Sequence, residues 1–556
     1  AGFTLQVVEP HLNGPGGEVP MILSTPDNEV RVICGQGVAP AGANVVAYKD
    51  LGLEMVPGAG LLATVVPGAF DAWMLLLRDH GTLGLAEVLE FAIGYATNGY
   101  PVVPRISQAI ENMRPMFETE WTTSAEIYLP NGAVPAPGSL FRNPAMAATY
   151  QRIIKEATAA SSDRVGQIEA ARKIWSQGFV ADAIDRFCRQ TEAMDSSGSR
   201  HRGLLTGQDM ANWAASVEAP LTYDYHGYTV CKTGPWGQGP VALQQLALLN
   251  NFDLSALDET DPQFIHIVVE CAKLAFADRE AFYGDPDFVD VPMSELLTDN
   301  YNQIRAALVG DQASMEIRPG TVEGFGGDVH FRATGSTDTS AAQGMGEPTV
   351  ARFDEAPDTR GVVAGDTVHF DIIDRWGNMI SATPSGGWLQ SSPIIPELGF
   401  CLNSRAQMFW LDDTSPARLE PGKRPRTTLS PTLCLRDGEA YMSYGTPGGD
   451  QQDQWATLVF LLHIHFGLNL QEAIDAPMFH TAHFPSSFYP READLGHLAV
   501  ESRLPEKTIT ELADRGHRIS VEDEWSLGRV TAAARDGGVL RAGANPRFMQ
   551  AYAIGR

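Results

Sequence analysis

A long glycine-rich stretch divides this chain into two parts whose residues are patterned differently. Nine glycines fall between Gly320 and Gly365 among serines, threonines and acidic residues, and the stretch keeps neither a strand period nor a helix period. At roughly 45 residues it is far longer than most connections inside a compact domain, and such loops are generally functional or linkers. Thr367 follows it, where apolar and polar residues begin to alternate. The pattern predicts a flexible linker over about residues 320–366, with a strand directly after it.

Helical periodicity marks the part of the chain before this linker. Apolar residues recur at intervals of three and four in four stretches, residues 67–81, 85–99, 240–252 and 262–284. Each stretch is long enough for a helix that faces a core, and Gly or Pro stands at several of their ends. The first part of the chain is therefore predicted to be mainly helical.

Strand signals follow Thr367. The segments "VHFDII" and "MISAT" flank "DRWGN", whose Gly and Asn suit a tight turn, so a hairpin is predicted there. "LCLRDG" and "AYMSYG" predict two further strands, and a helix is predicted from Asp453 through His465. The fold class expected from the whole pattern is α/β, with the strands concentrated after residue 366.

Composition and charge exclude several classes of partner. The 556 residues carry a net charge of −28 and one short basic cluster, "GKRPR", so most of the surface would repel a nucleic acid backbone. The longest apolar stretch, residues 456–468, is far short of the ~20 residues that span a bilayer. We therefore expect neither a nucleic acid nor a membrane partner. No signal peptide is visible at the start of the sequence, which favours the cytoplasm over the periplasm or secretion but leaves the compartment open.

Neither the cysteines nor the histidines have the spacing of a metal site. The six cysteines lie far apart with no CxxC pair, and a chain of this length does not depend on disulfides, so we expect buried free thiols. His463, His465, His480 and His483 lack a cysteine or a carboxylate at ligand spacing. We predict no metal and no other cofactor.

Thr367 stands where a self-processing nucleophile would be useful. Its hydroxyl is placed to attack the peptide bond to Asp366, and an N→O acyl shift followed by hydrolysis would release Thr367 as a new N-terminus. The freed α-amine has an ordinary pKa of about 7.7 to 8.0, so it can act as the base for the hydroxyl of the same residue. The alternative is an ordinary strand threonine, because Thr favours strands.

A second signal is the glycine pair in "GTPGGD". Gly448 and Gly449 lie between a predicted strand and a predicted helix, where adjacent backbone N–H groups can converge on an oxyanion. The alternative is a tight turn that requires positive φ. The hydroxyl cluster "RTTLSPT", residues 426–432, is a third signal, and it is equally compatible with an exposed turn before a strand.

Taken together, these segments resemble a known family. "GDTVHFDIIDRWGNMISAT", "GKRPRTTLSPTLCLRDG" and "GTPGG" are similar, in order and spacing, to the small-subunit segments of the γ-glutamyltransferases, which are threonine N-terminal-nucleophile hydrolases. "EPHLNGPGGE", "VVPGAFDAW", "LLNNFDL" and "FADREAFYGDPDF" are similar to segments of that family's large subunit. The resemblance covers nearly the whole chain.

The resemblance implies a fold and a processing event. The fold is a four-layer αββα sandwich, and the chain is a proenzyme that cleaves itself between Asp366 and Thr367. Its large-subunit segment is then residues 1–366 and its small-subunit segment residues 367–556, and the two remain associated as one structural unit. Family members begin with a strand and a helix ahead of the segment that opens this chain, so "AGFTLQ" is expected to start within a helix.

The resemblance also assigns catalytic roles. Thr367 forms an acyl-enzyme with a small amide or peptide substrate, which water or an acceptor amine then attacks. Ser385 falls where the family has a threonine whose hydroxyl bonds the amine of the nucleophile. Gly448 and Gly449 match the glycines that stabilise the oxyanion.

Several positions near the substrate carboxylate depart from the family pattern. Gln36 stands where the family has an arginine that binds the α-carboxylate of glutamate. Thr427 and Thr428 replace two serines near that carboxylate, which is a mild change. A carboxylate loses much binding without a bidentate arginine, so we expect glutamyl recognition to be altered.

The positions for the α-amino group depart further. The family has Asn, Gln and Asp where this chain has Gly387, Arg405 and Met408, so the pocket is expected to be basic and apolar. Arg405 or Arg426 is a candidate to bind a carboxylate on a substrate without the amine, such as a dicarboxylic mono-amide. The alternative is that each arginine forms an ion pair within the protein.

Three functions remain open from the sequence. The first is a self-processing amide hydrolase or acyltransferase of this family that acts on something other than ordinary γ-glutamyl amides. The second is a true γ-glutamyltransferase or glutathione hydrolase with a changed pocket. The third is a non-catalytic binding homologue that stays a single chain.

Overall fold

The structure, a computed structural model, describes residues 1–333, 347–350, 363–365, 367–547 and 551–555. Thr367 opens the described stretch that follows the linker. Asp366 and most of the predicted linker lie outside the described residues.

Most of the helices in the described part of the chain lie before Thr367, and α15, α16 and α17 follow it. The helices are α1 Gly2–Val8, α2 Val45–Asp50, α3 Ala69–His80, α4 Leu85–Asn98, α5 Pro104–Thr119, α6 Thr122–Tyr128, α7 Pro144–Ala160, α8 Arg164–Gln177, α9 Phe179–Gln190, α10 Gly207–Asn212, α11 Pro240–Leu249, α12 Pro262–Phe282, α13 Met293–Leu296, α14 Asp299–Ala306, α15 Gln452–His465, α16 Leu470–Asp475 and α17 Glu506–Asp514. Proline fills the first turn of α5, α7, α11 and α12, where its missing N–H costs no hydrogen bond. The helices predicted from periodicity, α3, α4, α11, α12 and α15, are all confirmed.

Two large antiparallel sheets form the centre of the molecule. The strands are β1 Val19–Ser24, β2 Val30–Gly35, β3 Tyr100–Pro101, β4 Leu140–Phe141, β5 Ala193–Met194, β6 Arg200–His201, β7 Ser216–Glu218, β8 Leu221–Tyr225, β9 Tyr228–Lys232, β10 Arg332–Ala333, β11 Glu347–Val350, β12 Val363–Gly365, β13 Phe370–Ile373, β14 Met379–Ala382, β15 Thr432–Arg436, β16 Glu439–Gly445, β17 Phe479–Thr481, β18 Glu492–Ala493, β19 His497–Glu501, β20 Arg518–Glu522, β21 Thr531–Asp536 and β22 Val539–Ala544. The first sheet has the strand order β13-β14-β1-β2-β7, and the second has the order β22-β21-β16-β15-β9-β8.

The remaining strands form smaller sheets. β17, β19 and β20 form a three-stranded sheet, and β3-β4, β5-β6, β10-β18 and β11-β12 are pairs. Within the three-stranded sheet, β19 pairs parallel to β20 and antiparallel to β17.

The two large sheets pack face to face through a small apolar cluster. Ile22, Val32 and Met379 of the first sheet meet Cys231 and Leu433 of the second. One large hydrophobic core lies between the first sheet and helices that include α3, α4, α7 and α8, and another lies between the second sheet and α11, α12 and α15. Helices therefore cover the outer face of each sheet, and the four-layer αββα sandwich is confirmed.

Strands are denser after residue 366, as predicted, but strands that precede it also belong to both large sheets. β1, β2 and β7 belong to the first sheet, and β8 and β9 belong to the second. β1, "VPMILS", is buried along its whole length, so its sequence has no apolar–polar alternation that would indicate a strand. The predicted strands β13 to β16 are confirmed.

Strands from both sides of the linker pair directly with one another. β1 pairs with β14 in the first sheet, and β9 pairs with β15 in the second. Each large sheet is thus built from both the large-subunit and the small-subunit segment. The six cysteines are free and buried, as predicted. Among the described residues, no helix has the length and the apolar sequence needed to cross a membrane.

Candidate active site

Thr367 lies just before β13, opposite Ser385, which follows β14. The two residues form an antiparallel bridge that continues the register in which Phe370 pairs with Ala382. Oγ1 of Thr367 and Oγ of Ser385 are 3.1 Å apart, and both residues are buried. The arrangement allows Ser385 to orient the hydroxyl of Thr367.

The glycine pair lies in the turn between β16 and α15, next to the strand that carries Thr367. Gly445, the last residue of β16, faces the ring of His369, and a Cβ added to it would lie 2.4 Å from the ring carbon Cε1. Since His369 is two residues after Thr367, the turn begins close to the candidate nucleophile.

Each glycine of this turn has a backbone N–H group that lacks an acceptor among the described residues. The carbonyl of Pro447 accepts from the hydroxyl of Thr446 at 2.7 Å, and the carbonyl of Gly448 accepts from the N–H of Gln451 at 3.1 Å. Because the C=O and N–H of a trans peptide point in opposite directions, these bonds fix the directions of the N–H groups of Gly448 and Gly449. In the described part of the chain, neither N–H has an acceptor. Two adjacent donors of this kind can stabilise an oxyanion.

Side chains of Gln238 and Arg279, which precede Thr367 in the chain, stabilise the same turn through hydrogen bonds. Nε2 of Gln238 donates to the carbonyl of Gly449 at 3.3 Å. Nη1 of Arg279 donates to Oε1 of Gln238 at 2.9 Å and to Oδ1 of Asp450 at 2.5 Å. The backbone N–H and hydroxyl of Ser487 also donate to Asp450, at 2.8 and 2.6 Å. The carbonyl of Gly449 is therefore anchored across the boundary between the two segments.

A buried ion pair fixes the start of α15. Nζ of Lys232 is 2.8 Å from Oδ1 of Asp453, and neither side chain is exposed. The hydroxyl of Ser430 donates to the same carboxylate oxygen at 2.6 Å. Burial raises the pKa of Asp453 and lowers the pKa of Lys232, and the contact between the two groups opposes both shifts. This pair joins β9 of one segment to α15 of the other.

Arg405 forms an ion pair within the protein. Its Nε donates to Oε1 of Glu18, both side chains are fully buried, and its guanidinium lies 5.0 Å from the ring centroid of Trp388. Glu18 also exchanges backbone hydrogen bonds with Ser385, so the pair lies beside the candidate nucleophile. The pocket near Arg405 therefore contains a carboxylate that the basic, apolar expectation did not include, and the ion-pair alternative describes Arg405.

Arg426 is also ion-paired. Its Nη2 is 2.6 Å from Oε1 of Glu280, and its Nη1 donates to the carbonyl of Arg279 at 3.1 Å. Burial lowers the pKa of Arg426, and Glu280 opposes this shift. Thr427 and Thr428, which follow it, are buried. The three predicted substrate-binding residues Arg426, Thr427 and Thr428 therefore all lie in the protein interior.

Comparison with known proteins identifies the family. The family profile described as gamma-glutamyltranspeptidase matches residues 1–555. The chain belongs to the γ-glutamyltranspeptidase family. The glutathione hydrolase-like YwrD proenzyme of Bacillus subtilis is 28% identical over 551 residues, which is 98% of this chain and 90% of that protein.

Two further proteins are similar to nearly the whole of this γ-glutamyltranspeptidase family member. The oxamate amidohydrolase proenzyme of Klebsiella pneumoniae is 28% identical over 566 residues, which is 98% of this chain and 91% of that protein. The solved structure of LmbA2991HD is 52% identical with a TM-score of 0.89, and the match covers 100% of this chain and 92% of that one. The chain is accordingly an N-terminal-nucleophile amide hydrolase or acyltransferase.

Within this family member, the position of Gly387 has no room for a side chain. Its φ is +64°, and a Cβ added to it would lie 2.7 Å from the backbone N of Gly17. A larger residue, such as the asparagine that the resemblance implies here, would not fit without moving the backbone. Met408 is buried in the single helical turn Arg405–Met408, and it has no charge to offer an amine.

Gln36, where the resemblance implies an arginine in the family, is fully buried. Its Nε2 donates to the carbonyl of Gly37 at 3.2 Å, and its Oε1 has no hydrogen-bond partner among the described residues. A neutral amide in this place supplies no charge to a carboxylate.

Sequence reasoning missed a polar strip that runs along the hairpin from Thr367. Nδ1 of His369 is 2.9 Å from Oγ1 of Thr383, and Nε2 is 3.0 Å from Oδ2 of Asp371. A carboxylate at Nε2 favours the tautomer that is protonated there, so Nδ1 accepts from Thr383. The alternation "TVHFD" placed Thr367, His369 and Asp371 on one strand face, which was the available signal.

A cluster with metal-ligand chemistry occurs elsewhere in this γ-glutamyltranspeptidase homologue. The donor atoms of His266, Glu270 and His517 all lie within 4.8 Å of one another. However, Lys273 and Arg318 bind the two oxygens of Glu270 at 2.6 and 3.1 Å. Nδ1 of His266 also hydrogen-bonds Nε2 of His517 at 2.9 Å. These partners explain the cluster as an internal hydrogen-bond network.

Proposed function

We propose that the chain is a self-processing amide hydrolase in which Thr367 is both nucleophile and base. The observation that carries the proposal is the 3.1 Å contact between Thr367 Oγ1 and Ser385 Oγ. The adjoining turn adds the N–H groups of Gly448 and Gly449, which have no acceptor in the described part of the chain. This combination supplies a nucleophile, an orienting group and an oxyanion site.

Maturation begins with attack on the peptide bond before Thr367. Oγ1 of Thr367 adds to the carbonyl carbon of Asp366, and the C–N bond breaks as the nitrogen takes up a proton. The resulting ester is hydrolysed by water, which leaves a carboxylate on Asp366 and a free α-amine on Thr367. Cleavage between these residues yields segments 1–366 and 367–556.

Turnover uses the new N-terminus. The α-amine of Thr367 accepts the hydroxyl proton as Oγ1 attacks the substrate carbonyl, and the N–H groups of Gly448 and Gly449 stabilise the oxyanion. The amide C–N bond breaks, the leaving amine takes the proton, and an acyl-threonine ester remains. Water then attacks this ester and releases the acid.

The substrate we propose is the mono-amide of a dicarboxylic acid. Gln36 and Gly387 stand where the family recognises the carboxylate and the amine of glutamate. Arg405, a candidate for the substrate carboxylate, already holds Glu18. The oxamate amidohydrolase relative supports this class, because oxamate is the mono-amide of a dicarboxylic acid and has no α-amine.

A γ-glutamyl-specific hydrolase is the second candidate. It is favoured by the glutathione hydrolase-like relative, which matches 98% of the chain. Glu18 is an acidic group beside Ser385 that could meet a substrate amine, and its bond to Arg405 counts against this use.

The two candidates are separated by p-nitroanilides of different acyl groups. We expect purified protein to release nitroaniline faster from succinyl and glutaryl mono-anilides than from γ-glutamyl anilide, and Thr367→Ala to release none. Preference for the γ-glutamyl anilide would reject the proposed substrate class. No release from any anilide by self-cleaved protein would reject the hydrolase itself.

A further inference from the structure

A buried charge cluster next to the glycine turn contains more positive than negative groups. Arg279, Arg426 and Arg491 supply three guanidinium groups, and Glu280 and Asp450 supply two carboxylates, all nearly or fully buried. Arg279 binds Asp450 at 2.5 Å and Glu280 at 2.8 Å, and Arg426 also binds Glu280. The cluster of these five residues therefore carries one positive charge without a carboxylate partner within the cluster.

Among the five residues of the cluster, Arg491 is the arginine that forms no ion pair with Glu280 or Asp450. Its Nη2 donates to the carbonyls of Gln407 and Phe409, at 2.7 and 3.0 Å, and its guanidinium lies 4.3 Å from the ring centroid of Trp410. Its Nη1 is buried and has no hydrogen-bond acceptor among the described residues. The neutral contacts hold the guanidinium in place but do not balance its charge.

A second unsatisfied donor belongs to the same cluster. Nε of Arg426 is buried and also lacks an acceptor in the described ranges. Burial and then the neighbouring charge of Arg426 lower the pKa of Arg491 to about 9, with Glu280 and Asp450 opposing. A buried cation with donors that lack acceptors is stabilised by an anion, and a carboxylate matches the planar geometry of guanidinium.

The position of the cluster relates it to the reaction. Asp450 follows Gly449 of the proposed oxyanion turn, and Arg426 precedes Thr427. Nη2 of Arg491 donates to the carbonyl of Gln407, the residue before Met408. The cluster is thus joined to the proposed oxyanion turn through Asp450 and through Gln238, which bonds both Arg279 and the carbonyl of Gly449.

We propose that Arg491, together with the Nε donor of Arg426, binds the free carboxylate of the acyl group. This inference rests on the proposed function and names the residues that recognise its substrate. A carboxylate completes the cluster as three guanidinium groups and three carboxylates. An acyl group with an ammonium in the same place would be repelled by Arg491.

Dicarboxylate binding tests the site without turnover. Succinate and glutarate are titrated into wild type, Arg491→Met, Arg491→Lys and Arg503→Met, with affinity measured by calorimetry. Arg503 is a matched control, because it also stacks on a tryptophan, Trp525, and donates to two backbone carbonyls, but it is paired with Glu501. We expect Arg491→Met to weaken binding roughly ten- to hundredfold, Arg491→Lys to weaken it less, and Arg503→Met to leave it unchanged.

Two results would overturn the assignment. One is a wild type that binds neither dicarboxylate, and the other is an Arg491→Met protein that folds and binds as the wild type does. Native circular dichroism of each variant shows that it folds, and Arg491→Lys provides the measurement if Arg491→Met does not.

Hydrolysis separates this inference from the proposed function. The ratio of kcat/KM for glutaryl anilide to that for the neutral valeryl anilide is expected to fall roughly tenfold or more in Arg491→Met. If the wild type prefers glutaryl anilide and Arg491→Met keeps that preference, the Arg491 site fails and the hydrolase stands. If glutarate binds through Arg491 and no amide is hydrolysed, the site stands and the proposed function fails.

Discussion

At the scale of single residues, the meeting of Thr367 and Ser385 depends on strand register. The pairing of Phe370 with Ala382 places Thr367 opposite Ser385 three residues further along. A slip of one residue would put Pro384 or Gly386 there, and neither has a hydroxyl. The buried core face of the hairpin therefore specifies the contact on which the proposed chemistry depends.

Replacing Arg405 tests whether it has a structural role. Arg405→Met leaves the carboxylate of Glu18 buried without its guanidinium, which is expected to lower the free energy of unfolding by about 3 to 5 kcal/mol. Glu18→Gln in the same chain removes the charge and is expected to recover much of that loss. Urea unfolding of the two single variants and the double variant gives the coupling. Additive losses would contradict the ion-pair role.

Residue identity alone predicted the candidate nucleophile but not the surroundings of the pocket. Thr367, Ser385 and the glycines stand in short segments with recognisable order. The partner of Arg405 is Glu18, which is 387 residues away in the chain, and no local pattern connects them. Arg491 was missed for the same reason, since its excess charge appears only once five distant residues are brought together.

At the scale of elements, the turn between β16 and α15 has little space for a side chain at Gly448. Gly448 and Gly449 have φ values of +129° and +58°, which glycine adopts without strain. A Cβ on Gly448 would lie 2.5 Å from the Cζ3 atom of Trp455. The position therefore excludes a side chain on both conformational and steric grounds.

Gly448→Ala is expected to displace the backbone donors and reduce kcat roughly a hundredfold, as the loss of one oxyanion donor does. Gly438→Ala is the matched control, because Gly438 also has positive φ (+81°) but has open space around its Cα. Steady-state rates for an anilide substrate, with folding checked by circular dichroism, measure both. Equal rates for the two variants would contradict an oxyanion role for this turn.

Helices with regular apolar spacing were predictable, and the short buried strand β1 was not. α3, α4, α11 and α12 present repeated apolar positions, and their bounds agree closely with the sequence pattern. β1 is enclosed between neighbouring strands and two layers of side chains, so its sequence is a short apolar run that a helix could equally contain. The topology of the first sheet could not be read from the sequence for that reason.

At the scale of the whole molecule, both large sheets combine strands from the two segments. Cleavage before Thr367 would leave the β1–β14 and β9–β15 pairings intact. We therefore expect segments 1–366 and 367–556 to elute together in size-exclusion chromatography under native conditions, and to separate in urea. Separate native elution would show that these pairings do not hold the molecule together.

Acid is expected to destabilise the molecule through buried neutral histidines. Burial lowers the pKa of His11 and of His480 to about 3, and that of His517 to about 2, against an ordinary value of 6.5. Above pH 6.5 these histidines are neutral in both the folded and the unfolded chain, so their contribution to stability is fully present. As the pH falls below 6.5, the unfolded chain binds protons that the folded chain does not.

Each such histidine then removes about 1.4 kcal/mol of unfolding free energy per pH unit. Urea unfolding of wild type and His480→Asn at several pH values between about 6 and 4 measures the slope, and the variant is expected to show a slope smaller by this amount. Equal slopes would mean that His480 is protonated in the folded state.

The most direct measurement of the central claim is the intact mass of purified wild type beside Thr367→Ala. The proposed function predicts two polypeptides from the wild type, one beginning at Thr367, and a single uncut chain from the variant. A wild type that stays whole, or a variant that is cut at the same bond, would contradict Thr367 as the self-processing nucleophile.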